Sequence, residues 1–210
     1  MSEWNKVKED VEISNKSKNG SSSQDKKQKI AYHFKKIMEV LDLDLSDDSL
    51  IDTPDRVAKM YVDELFSGLN KNNEPVVSKF KNSYNYNGII LEKNIQLYSM
   101  CEHHFVPIIG KAHVAYLANE KIIGLSKINR IVSYFSKRPQ VQEKLTVQIV
   151  NYLKKVLETE NVACVIEAQH LCVSMRGIKD ETSLTTTAEF SGKFLESALK
   201  NEFLTLLSSK

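Results

Sequence analysis

The sequence predicts an α+β fold on three observations. Apolar residues recur at helical spacing in several segments, the stretches between them alternate as strands do, and no repeat at a fixed period joins them. A first helix is expected where Ile30, Phe34, Ile37, Met38 and Leu41 share a face. A second follows in DTPDRVAKMYVDELFSGL, with Thr53 as its cap, Pro54 at the first helical position and Gly68 as its stop. IQLYSM and KAHVAYL, within about 85–117, read as antiparallel strands with Gly110 as the turn signal between them. Helices are then expected over about Ser126–Ser136 and Pro139–Leu157; the second opens on proline and carries Val141, Leu145, Ile149 and Leu153 four apart. NVACVIEAQHLCV and TSLTTTAEF return to strand composition, and Gly192 precedes a last amphipathic helix ending near Leu207. The paired helices should lie on one face of the sheet.

Before the first helix the run SNKSKNGSSSQDKKQK has almost no apolar side chain to offset the entropy of ordering it. Residues 1–27 are therefore expected to form a mobile polar arm, 28–72 an N-terminal helical region and 73–210 the sheet-bearing domain.

With 210 residues, 41% of them hydrophobic, the chain can bury a core of its own. Its 29 basic and 27 acidic residues leave a net charge of +2, which points to neither a nucleic-acid nor a membrane partner. MSEWNKVKED carries no apolar run of signal-peptide length, and no later stretch approaches the roughly 20 apolar residues of a spanning helix. The expectation is a soluble, cytoplasmic protein. Cys101, Cys164 and Cys172 are an odd set without a secretion signal, which favours thiols kept for metal or catalysis over a disulfide framework. Cys164 lies within the apolar VACVIEA and reads as a buried thiol.

The chemistry concentrates in Cys101-Glu-His-His104 and His170-Leu-Cys172. Cys101 and His104 can reach one ion from a turn, and a distant residue, naturally Cys172, must close the site. Two thiolates and an imidazole suit zinc and leave a fourth position open, as catalytic zinc sites do. A Cys101–Cys172 disulfide, or two buried thiols beside hydrogen-bonded histidines, would satisfy the same spacing. His103, expected to point away from its neighbour in an extended segment, and His170, on the side of Cys172 in a strand, are candidates for proton transfer. His33 and His113 read as structural.

Lys127 and Arg130 stand at the start of a helix, where free N–H groups favour phosphate, and Arg176 follows the Cys172 segment. Arg56 and Lys59 share a helical face. Each could equally be part of a solvated basic surface. Gln142 and Glu143 could hydrogen-bond a guanine edge, or lie on an ordinary helix surface.

Three long strings, CEHHFVPIIGKAHVAYL, IGLSKINRIVSYFSKRPQVQEKLT and HLCVSMRGIKDETSLTTTAEFSG, together resemble the GTP cyclohydrolase I family. DTPDRVAKMYVDELFSGL resembles that family's second helix, and the likeness covers roughly Ile30–Phe203. It implies a tunnelling fold, a four-stranded antiparallel sheet with helices on one face, assembled into a homodecamer whose active sites lie between subunits. It further implies one zinc ion per subunit on Cys101, His104 and Cys172, with water adding to C8 of GTP. His103 would protonate N7, and His170 would assist hydrolysis and proton transfer. Gln142 and Glu143 would hold the guanine edge and Ser126 the ribose. Lys127, Arg130 and Arg176 would bind the triphosphate, with Arg56 and Lys59 reaching in from a neighbouring chain. The implied products are formate and 7,8-dihydroneopterin triphosphate, on the way to tetrahydrofolate or tetrahydrobiopterin. A nitrile reductase of the same fold would need a nucleophilic cysteine and a nicotinamide site in place of zinc.

Overall fold

The computed structural model describes residues 22–209; the expected arm lies outside them as far as residue 21. The chain divides into two compact units between Asp63 and Glu64.

In the first unit helix α1 spans Ser23–Val40. The Ser22 hydroxyl accepts from the Asp25 N–H, and the Asp25 carboxylate accepts from the Ser22 N–H, both at 3.1 Å. This reciprocal cap starts the helix within the polar run expected to belong to the arm, because orphan N–H groups are satisfied locally without an apolar face. Helix α2, Thr53–Lys59, has Asp52 rather than Thr53 at its N-cap, with Pro54 in the first turn, and continues as a π-helical turn over Met60–Leu65. It packs on α1, burying Met38 and Ala58.

The second unit begins earlier than residue 73. Gly68 donates its N–H to the Lys137 carbonyl at 2.9 Å, and a Cβ there would collide with the Tyr134 carbonyl, so this segment belongs with the sheet-bearing unit. Strands β1 (Lys79–Lys81) and β4 (Lys121–Ile123) pair separately. The main sheet contains β2 (Ile89–Cys101), β3 (Pro107–Leu117), β5 (Pro139–Gln140), β6 (Val162–His170) and β7 (Thr185–Phe190), in the order β5-β2-β3-β6-β7. Four of these strands run antiparallel, and the two-residue β5 adds a parallel edge beside Met100 and Cys101. Pro139 therefore opens a strand, and the helix behind it starts at Gln142 with Val141 as its N-cap.

Gly110 is not a turn. It lies inside β3 opposite Leu97 and Ala168, where a Cβ would collide with the Glu167 carbonyl, so glycine serves close strand approach. The reversal between β2 and β3 instead falls at Glu102–His104. Asn94, at φ 58°, sits in a register shift between Glu92 and Ile95, which keeps Ile95 and Leu97 on the core face.

Helices α3 (Leu125–Ser136) and α4 (Gln142–Leu157) cover that face. Ile128, Ile131, Leu145, Ile149 and Leu153 pack there against Leu97, Ile108, Val114 and Ile166. Each such aliphatic side chain contributes about 1.5–3 kcal/mol by leaving water. The opposite face is not bare. Ala115, Ala163 and Val165 pack there against Phe194 and against Phe203 from helix α5 (Ser197–Ser208), so helices occupy both faces rather than one.

Candidate metal centre and active site

Strand register brings the ligands together. Met100 at the end of β2 pairs with Pro107 at the start of β3, and the next β3 residue, Ile108, pairs with His170 at the end of β6. The turn after Cys101 and the segment after His170 thus emerge side by side. Cys101 N–H donates to the Val106 carbonyl at 2.8 Å and Phe105 N–H to the Cys101 carbonyl at 2.9 Å, closing the CEHH turn. Glu102 N–H donates to Gln140 at 3.0 Å, and the Glu102 carboxylate pairs with Lys144 on α4. On the other side β6 stops at His170, and Leu171–Ser174 form one helical turn. Cys172 is therefore presented by a turn and not, as its strand-like neighbours suggest, by a strand.

Ligand atoms of Cys101, His104 and Cys172 all lie within 4.8 Å of one another. The three cysteines of the chain are free thiols, so the disulfide alternative is not what this spacing serves. Cys101 and Cys164 are buried and Cys172 half-buried. Burial and the adjoining Cys101 push the Cys172 thiol above its ordinary range, with Arg176 opposing weakly. A cation would reverse that balance by displacing protons from the thiols. Two sulfurs and an imidazole nitrogen fit a soft or borderline ion such as zinc, with one coordination position left over.

Around this trio, His103 Nδ1 lies 3.9 Å from Cys101 Sγ, and its ring stands 6.3 Å from that of His104. The two histidines occupy a turn rather than an extended segment. Arg176 Nη1 approaches His104 Nε2 at 3.0 Å. Burial holds the His170 imidazole below its ordinary pKa, partly offset by the Glu143 carboxylate. Glu143 itself is exposed at the start of α4.

The other expected basic residues of the second unit stand on α3. Asn129 Nδ2 donates to Glu92 at 3.4 Å, which sets the first turns of α3 beside the early part of β2. Ser99 Oγ donates to the Ser136 carbonyl at 2.7 Å, which sets the end of α3 beside the late part of that strand. Helix α3 therefore runs alongside β2, with Ser126, Lys127 and Arg130 in its first turns and its last turn beside the strand end that leads to Cys101. Arg56 and Lys59 are exposed on α2 of the first unit, Arg56 pairing with Asp52 at 3.2 Å.

The sequence profile described as GTP cyclohydrolase I matches residues 30–208. The chain belongs to that family. A protein named GTP cyclohydrolase 1 from Flavobacterium johnsoniae is 56% identical over 183 residues, 87% of this chain and 82% of that protein. Proteins of the same name from Tolumonas auensis and Enterobacter sp. (strain 638) are 53% and 51% identical, over 87% and 89% of this chain and 85% and 84% of theirs.

Gln142, expected at a guanine edge, is buried in this family member: its Oε1 lies 2.7 Å from His170 Nε2, and its amide nitrogen bonds Ile166 and Thr185 carbonyls. The signal for this was present in the sequence. Gln142 stands three and seven residues before Leu145 and Ile149, on the inward face of α4. The Glu102–Lys144 pair tethering the ligand turn had no such signal, since a charge pair across distant segments carries no period.

Proposed function

We propose that this chain converts GTP to 7,8-dihydroneopterin triphosphate and formate with one zinc ion per subunit, as the first step of pterin (tetrahydrofolate or tetrahydrobiopterin) synthesis. The observation carrying this reading is the convergence of Cys101, His104 and Cys172 within 4.8 Å in a chain of the GTP cyclohydrolase I family. A zinc ion held by these residues would supply Lewis-acid activation of water near neutral pH.

The remaining work falls to side chains. His103, exposed beside Cys101, delivers a proton to N7 of the purine, which makes C8 electrophilic. His170 moves protons during hydrolysis from the other wall. The exposed Glu143 carboxylate can accept two N–H groups of the guanine edge at once, which orients the ring. Ser126 acts at the ribose, and Lys127, Arg130 and Arg176 neutralise the triphosphate, with Arg56 and Lys59 contributed by a neighbouring chain.

The first turns of α3 lie beside the early part of β2, away from the strand end that carries Cys101, and this supports a site shared between subunits. The four antiparallel strands are compatible with a tunnelling fold that joins sheets edge to edge, and we propose the homodecamer usual for such an assembly. Among the described residues no helix is long and apolar enough to cross a membrane, and we propose a cytoplasmic location.

The shared site can be tested by complementation. Cys172→Ser and Lys127→Ala should each abolish formate release from GTP. Mixed and reassembled, the two variants should recover part of it, because some interfaces then pair an intact trio with an intact α3. No recovery in demonstrably mixed oligomers would sink the shared site.

A further inference from the structure

We propose that Gln142 is a positioning residue that holds His170 with its proton on Nε2, so that the neutral ring offers Nδ1 as its only acceptor. The inference rests on the reading of His170 as a proton-transfer group.

Gln142 is 1% exposed, and its amide has fixed neighbours. Its nitrogen lies 3.0 Å from the Ile166 carbonyl, 2.9 Å from the Thr185 carbonyl and 3.2 Å from Thr187 Oγ1. Backbone carbonyls only accept. A flipped amide would set oxygen against both carbonyl oxygens, so the nitrogen must face the sheet. Oε1 is then the atom 2.7 Å from His170 Nε2. Because a carbonyl oxygen only accepts, Nε2 must carry the proton. In a neutral imidazole this leaves the lone pair on Nδ1.

The clamp has depth. Thr146 Oγ1 donates to the Gln142 carbonyl at 2.8 Å and lies 2.7 Å from Thr187 Oγ1. Groups on α4, β6 and β7 therefore fix the amide together, and through it the plane of the His170 ring relative to the sheet that sets Cys101 and Cys172.

Gln142→Met keeps the length of the side chain and removes both ends of the clamp. In zinc-replete protein it should lower kcat for formate release about tenfold or more, with KM for GTP within about twofold and zinc content unchanged. In a His170→Ala background the same substitution should change kcat by less than about twofold, since the group it orients is gone. A Gln142→Met protein that raises KM instead, or loses as much activity in the His170→Ala background as alone, would return Gln142 to substrate binding and overturn the inference. If His170→Ala itself keeps full turnover, the proton-transfer reading fails; if that variant is crippled while Gln142→Met is not, only the positioning role fails. Should Gln142→Met not fold, 15N-histidine spectra of the unsubstituted protein decide the matter. The ring signal absent from His170→Ala should show an Nε2–H tautomer, and an Nδ1–H tautomer would overturn the inference.

Discussion

Cys101 and Cys172 share one cluster with His104 because β2 and β6 both pair with the opening residues of β3, Met100 with Pro107 and His170 with Ile108. The centre is thus a product of strand register, and its ligands and its proton-transfer groups should separate under mutation. Cys172→Ser should lose bound zinc, measured by elemental analysis. His103→Ala and His170→Ala should keep it yet lose most formate release, about 100-fold or more. Equal metal loss in all three variants would contradict these roles.

Register also makes Gly110 a sensitive position. Any Cβ there meets the Glu167 carbonyl on the neighbouring strand, and backbone can give way only by shifting β3 against β6. Gly110→Ala should cost about 1–3 kcal/mol and lower the thermal midpoint by several degrees. At Gly177, φ is +62° but nothing lies near the site of a Cβ. Gly177→Ala should cost only about 1–2 kcal/mol of conformational strain, without disturbing the sheet.

His113 gives the second unit a pH dependence. It is buried on β3, accepts from Asn94 N–H at 3.3 Å and has Glu167 at 3.7 Å from Nε2. Burial holds its pKa below the ordinary 6.5, opposed in part by Glu167. The unfolded ring therefore takes up its proton first as pH falls. Stability should decline as pH passes down through about 6.5, then level off once the folded ring also protonates. Thermal midpoints at pH 8 and 5.5 measure the decline, and His113→Gln should make it shallower.

The second core has its own anchor. Phe203 is fully buried and meets Phe190 and Phe194 edge to face, with centroids 5.8 and 5.9 Å apart. Phe203→Ala should cost about 3–5 kcal/mol, measured by denaturant unfolding, because α5 then loses its hold on the sheet.

Long periodic segments were legible in the sequence. The faces of α3 and α4 carry their own signal, since each helix buries one side against the core, whereas β3 and β6 bury residues on both faces and read as strands from their composition. Features set by tertiary contact were not. Gly110 reads as a turn until β6 is seen lying against it, and Pro139 reads as a helix start until Met100 and Cys101 pair with β5. The same holds at the site. Cys101, His104 and Cys172 were legible because ligand chemistry is scarce and spacing restricts it. The run of α3 along β2, which sets Lys127 and Arg130 relative to them, was not, because it is fixed by tertiary contacts.

The most direct test of the central claim is to incubate the zinc-replete protein with GTP and follow formate release and pterin absorbance, before and after removal of the metal by a chelator and again after zinc is restored. Formate and pterin should appear together, cease on chelation and return with zinc. Zinc-bound, folded protein that binds GTP and yields neither would contradict the account.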